Sequence, residues 1–143
     1  MADIVFRFPI HAPASSVFNA VASPGGLDSW WTLSCKGDIK QDSEYTFYFS
    51  EEFNWKGVLA EVTPHRSVFW KFTDAEPDWT NTTLSIELQQ EGEWTWLEFR
   101  HGNWASESAH FRGSAYCWAM YLRHLKRYVE EGIVVAYDKR DND

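Results

Sequence analysis

The chain has only two cysteines among 143 residues, Cys35 and Cys117. They stand alone, with no second ligand at metal-binding spacing, so neither a disulfide framework nor a zinc knuckle is expected. Long apolar runs are missing too, which excludes a membrane-spanning helix. The opening residues MADIVFRFPI lack both the basic start and the apolar core of an export signal. Free thiols without such a signal lead to the expectation of a reducing, cytoplasmic setting. Positive charge is scarce: 13 Lys and Arg against 21 Asp and Glu leave a formal charge of −8. That balance argues against nucleic acid and against anionic membranes as partners. No Gly-x-Ser-x-Gly elbow, Gly-rich phosphate loop or His-Glu-x-x-His pair occurs. The sequence therefore names no catalytic set, no metal and no cofactor.

Rings are what the chain has in plenty, with nine Trp, ten Phe and six Tyr. Mean hydropathy is nonetheless negative, so the apolar content sits in a few bulky side chains. Rings interdigitate with difficulty, and a gap among them is a pocket. A dense aromatic core is the alternative outcome of the same composition.

The longest patterned stretch runs from Ser106 to Glu131. At 100° per residue, Phe111, Ala115, Trp118, Leu122, Leu125 and Val129 fall on one line, opposite Arg112, Tyr116, Met120, Arg123 and Arg127. Ser106 and Glu107 are read as its start, Gly132 as its stop, and Gly113 as a weak point where a lead-in helix joins. Almost everything upstream alternates as strand. Residues 3–11 place Ile4, Phe6 and Phe8 on one face, and Pro9 either places this strand at an edge or ends its pairing there. Pro13 opens a short helix with Val17, Phe18, Ala20 and Val21, and Leu27 to Trp31 forms a second helical turn. Strands follow at Ser43–Phe49, Phe53–Val62, Val68–Thr73, Thr82–Gln90 and Trp94–His101. A polar loop, Asp74 to Asn81, interrupts them, and Asp138 to Asp143 reads as a fraying charged tail. The expected fold is α+β: a curved antiparallel sheet of about six strands around a long C-terminal helix, in one domain over residues 1–143.

Three motifs carry a family resemblance. They are Ala12-Pro13-x-x-x-Val17-Phe18-x-Ala20 continuing to Pro24-x-x-Leu27-x-x-Trp30-Trp31, then Gly57-Val58-Leu59-x-Glu61-Val62-x-Pro64, and the closing run Ala115 to Leu122 with Leu125, Lys126 and Tyr128 to Gly132. Together they resemble the activator of heat-shock-protein-90 ATPase homologues, within the START-like (Bet v 1-like, SRPBCC) superfamily. The resemblance implies a helix-grip fold with a cavity between the final helix and the sheet. Family functions include lipid, sterol or hormone binding, polyketide cyclisation, stress responses and stimulation of the chaperone ATPase.

On that reading Phe47, Phe49, Trp70, Phe72, Leu97, Phe99, His101, Trp118 and Leu122 line the cavity. His101 is either a polar group at the cavity's edge that orients a ligand or acts as an acid or base near neutral pH, or a histidine satisfied by neighbouring backbone. Trp30 and Trp31 either gate the mouth or anchor the small helices. Glu51, Glu52 and the charges from Asp74 to Asp78 read as solvated turns. A small hydrophobic or aromatic ligand is the expected partner. A chaperone, a second copy of the chain, and a cyclase-type activity are the alternatives.

Overall fold

The computed structural model describes residues 1–142. Its elements are β1 (Ala2–Ile10), α1 (Ala14–Ala22), α2 (Pro24–Asp28), β2 (Ser34–Lys36), β3 (Ser43–Tyr48), β4 (Asn54–Thr63), β5 (Ser67–Asp74), β6 (Thr83–Glu91), β7 (Trp94–Trp104) and α3 (Ala109–Glu131), followed by a 3₁₀ turn at Tyr137–Asn142. Seven strands form one antiparallel sheet in the order β1-β7-β6-β5-β4-β3-β2. The strand beyond the expected six is β2, whose three residues are too short to show alternation. β1 is an edge strand, the first of the two outcomes Pro9 allows, and its pairing with β7 continues through Pro9 to Ile10. Register irregularities between β4 and β5, at Lys56/Gly57 and Leu59/Glu61, bend and twist the sheet around the helix.

Alternation decides what each strand presents to α3. Leu97, Phe99 and His101 of β7 are all fully buried, as is Trp70 of β5, which pairs with Leu59 and Leu84. Helix α3 closes this face with Phe111, Ser114, Trp118, Leu122, His124 and Leu125. At ~1.5 Å per residue its length is about 34 Å. It begins later than Ser106: the cap is Ser108, whose hydroxyl accepts the Phe111 N–H at 3.2 Å. Capping geometry overrides the earlier serine because only Ser108 has its oxygen within reach of an unsatisfied helical N–H. The helix runs unbroken through Gly113 and stops at Gly132, which takes the left-handed conformation with φ of 71°.

Two polar ties fix the ends of the helices. The C-terminal carbonyls of α1 lack helical partners and are taken by rings, Ala20 by the Trp30 indole at 2.9 Å and Ala22 by the Tyr45 hydroxyl at 2.7 Å. Trp30 thus anchors the small helices. Glu130 has an unfavourable place at the end of α3 on dipole grounds alone. Its carboxylate instead accepts from Lys126 and from the His11 N–H, both at 2.7 Å, joining the helix end to the end of β1. Burial pushes this carboxyl up, but those hydrogen bonds win and hold it below the usual range.

The described residues after α3 are tied to the body of the fold rather than left as a free tail. Arg140 is buried, and its guanidinium donates to the carbonyls of Val135, Thr32 and Asp28 at 3.0, 3.2 and 2.6 Å. Its own carbonyl accepts from His124 Nε2 at 2.9 Å. The tail is therefore a strap fastened to α2 and α3; Asp143, the last residue of the expected fraying segment, lies outside the described residues. Arg140→Ala strips donors from three carbonyls and is expected to lower stability by about 2–3 kcal/mol, read from denaturant midpoints. A loss below half a kcal/mol would show that the strap carries no weight.

Candidate functional site

Rings from four parts of the chain converge beside the first half of α3. Phe49, Phe53 and Trp55 come from the β3–β4 hairpin, Trp79 from the loop between β5 and β6, Trp31 from the segment after α2, and Tyr137 from the strap. The helix contributes His110, Gly113, Ser114, Cys117, Trp118 and Tyr121. They line an open pocket of about 350 Å³. Its floor is a run of close ring contacts, Trp31 to Trp118 at 4.8 Å, Trp118 to Trp79 at 5.9 Å and Trp79 to Trp55 at 4.5 Å. Gly113 also lines the pocket but adds no side chain, and a Cβ placed there would meet nothing within 4 Å. The missing side chain is part of the opening.

Phe47, Trp70, Phe72, Leu97, Phe99 and His101 are buried and do not line the pocket. Phe49 and Trp118 do line it, joined by Trp31. Leu122 lies elsewhere, in a shallow groove with Phe6 and Phe8 of the edge strand. A larger hollow of about 850 Å³ sits over Arg7, Arg66, Glu87, Trp96 and Glu98. It is a surface concavity on outward strand residues with both charge signs interleaved. Arg7 there lies over the Trp96 ring, 4.1 Å from its centre. The ring-walled pocket is the better ligand site because apolar walls with a few polar groups are what small-molecule sites share.

His101 is satisfied by side chains rather than by backbone. Its Nδ1 accepts the Trp118 indole N–H at 3.0 Å, so its Nε2 carries the proton and donates to Thr82 Oγ1 at 2.8 Å. Thr82 in turn donates to the Trp79 carbonyl at 2.5 Å. This relay fits one neutral tautomer. Burial foremost, then the neighbouring His110, pushes the ring's pKa down to about 3, against an upward pull from Asp3. His101 therefore positions Trp118 and Trp79, and does not reach the pocket.

At the rim stands His110, with Nε2 3.2 Å from Glu76 and Nδ1 2.9 Å from Asp78. Both nitrogens face carboxylates, so the imidazole has no free lone pair for a guest. Cys117 is exposed at the pocket edge, and burial and then Asp141 raise its thiol above the ordinary value, away from a reactive thiolate. Among the described residues no group of three His, Cys, Asp or Glu is placed to hold a metal ion.

The model of the activator of Hsp90 ATPase homolog 1-like proteins matches residues 11–130. The chain belongs to this family. A solution structure of the Aha1 dimer from Colwellia psychrerythraea is 25% identical, with 92% of this chain and 98% of that one covered at a TM-score of 0.82. Protein MLL2253 from Mesorhizobium loti is 12% identical over 92% of this chain and 99% of its own, also at 0.82. CalU16 from Micromonospora echinospora is 21% identical over 96% of this chain and 80% of its own, at 0.75. The last two likenesses establish the helix-grip fold alone. No curated protein matches the chain. Among the described residues no helix of this family member is long and apolar enough to cross a membrane.

Several pocket residues escaped the sequence reading. Trp79 and Glu76 lie in the stretch read as a polar loop, as does Asp78 beside the rim, yet Trp79 is buried and packs on Trp118. A tryptophan in an otherwise polar loop was the available signal, since so large a ring seldom stays in water. Tyr137 and Gly113 gave none.

Proposed function

We propose that this protein binds a small apolar or aromatic molecule in the pocket beside the first half of α3. The observation that carries this is the row of indoles lining an open pocket together with a helical glycine that adds no side chain to it. Rings at this spacing hold flat guests by stacking, and each Å² of apolar surface removed from water contributes roughly 25 cal/mol. The family's fold is compatible with such binding.

Gly113→Leu is the direct test. The new side chain enters the open space, while losing a mid-helix glycine is expected to raise the stability of the empty protein by up to about 1 kcal/mol. Aromatic ligands that raise the melting temperature of the native protein should then raise it little or not at all in the variant. An unchanged ligand-induced rise would remove the pocket from consideration.

A second reading is contact with a chaperone or with a second copy of the chain. It is favoured by the family match and by the Colwellia relative, which is described as a dimer. Stimulation of an Hsp90 ATPase, or a dimer mass in sedimentation, would support it. A cyclase-type activity has less behind it, because His101 is sealed off and His110 is committed to its carboxylates.

A further inference from the structure

The pocket's polar groups favour one class of guest. Trp118 turns its N–H inward to His101, and the Trp79 N–H is buried. Neither indole offers a donor to a ligand; what they offer is aromatic ring surface. Glu76 lines the rim with Asp78 close by, and two carboxylates outweigh one imidazole whether or not His110 carries a proton. A third carboxylate, Asp141, stands on the strap. Its charge, after burial, helps raise the Cys117 thiol and the Tyr121 phenol, both of which line the pocket. The neighbouring cation, Arg140, is turned into the protein and shared among three carbonyls. Among the described residues no Lys or Arg lines the site.

The geometry points to an organic cation as the guest: an aromatic amine or quaternary ammonium whose charge lies over the indole faces and within the field of Glu76. This rests on the ligand-pocket reading and narrows it. Ring faces carry the negative part of the aromatic quadrupole and attract a desolvating cation, Trp most strongly. A carboxylate at the rim adds Coulomb attraction that a neutral guest does not feel. An anionic guest meets the same groups as repulsion. The overall charge of −8 acts in the same direction at longer range.

Three matched probes test it by calorimetry at low salt. These are 2-naphthylmethyl-trimethylammonium, its neutral isostere with a tert-butyl group in place of the ammonium, and 2-naphthylacetate. The cation is expected to bind about tenfold more tightly than the neutral probe, with the anion weakest. Glu76→Gln should reduce the cation-to-neutral ratio to roughly threefold, since the near-isosteric replacement of this half-buried carboxylate leaves the ring floor in place. Equal binding of cation and neutral probe, abolished in both cases by Gly113→Leu, would overturn the cation assignment and keep the pocket. A ratio unmoved by Glu76→Gln would overturn the role given to the rim. Failure of all three probes to bind would overturn both readings together.

Discussion

Replacing Trp118 with alanine is expected to cost about 4 kcal/mol of folding stability, within the range for removal of a buried ring. For a domain of this size that corresponds to a fall of roughly 15 °C in melting temperature. The reason lies in how many contacts one ring serves. Trp118 is 2% exposed and touches Trp31, Phe99 and Trp79, with ring centres 4.8, 4.7 and 5.9 Å away. It also supplies the N–H that His101 accepts. Removing it opens a void at the floor of the pocket and leaves the Nδ1 acceptor of His101 without a donor. Ligand binding should go with it. Trp118→Phe separates the two effects: most of the ring stays, so the loss should shrink to about 1–3 kcal/mol, mainly from the broken hydrogen bond. Equilibrium unfolding in denaturant measures both. A loss under 1 kcal/mol for the alanine variant would mean that the interior is far looser than these contacts require.

The second large effect is acid destabilisation through His101. The ring has an ordinary pKa of 6.5 that burial, with His110 adding to it, moves down to about 3 in the folded protein. Between those values the unfolded chain takes up a proton that the folded chain refuses. Stability is thus complete above about pH 6.5 and declines as the pH falls toward 3. At ~1.4 kcal/mol per pH unit the whole window amounts to at most about 5 kcal/mol. By pH 5, where carboxylates are still mostly ionised, about 2 kcal/mol should already be gone. His101→Gln keeps one acceptor and one donor but does not titrate, so its profile between pH 7 and 5 should lack this loss of about 2 kcal/mol. Parallel profiles for the two proteins would show that His101 is not held neutral.

The architecture was legible because it is written in periodicity. Ile4, Phe6 and Phe8 alternate, Phe111 to Leu125 recurs every three to four residues, and both patterns survive any choice of rotamer. Pro9 made the edge one of two outcomes for β1 for a reason independent of packing. What could not be read depends on distance along the chain. Glu76 and His110 are 34 positions apart, and only the fold makes them neighbours. His101 alternates correctly to face inward, but whether it meets solvent or an indole turns on where Trp118 points. Glu130 looked misplaced by helix electrostatics until β1 brought the His11 N–H to it. Ser106 and Ser108 are chemically identical as caps, and one hydrogen-bond distance decides between them.

The indoles of Trp31, Trp118, Trp79 and Trp55 stand in sequence with centres 4.5 to 5.9 Å apart. Chromophores this near one another do not absorb light independently; their excited states mix, and the mixing depends on mutual angle. The protein consequently carries its own optical gauge. A guest that tilts Trp55 or Trp31 by a few degrees alters the exciton signature in circular dichroism, so occupancy can be followed without a label.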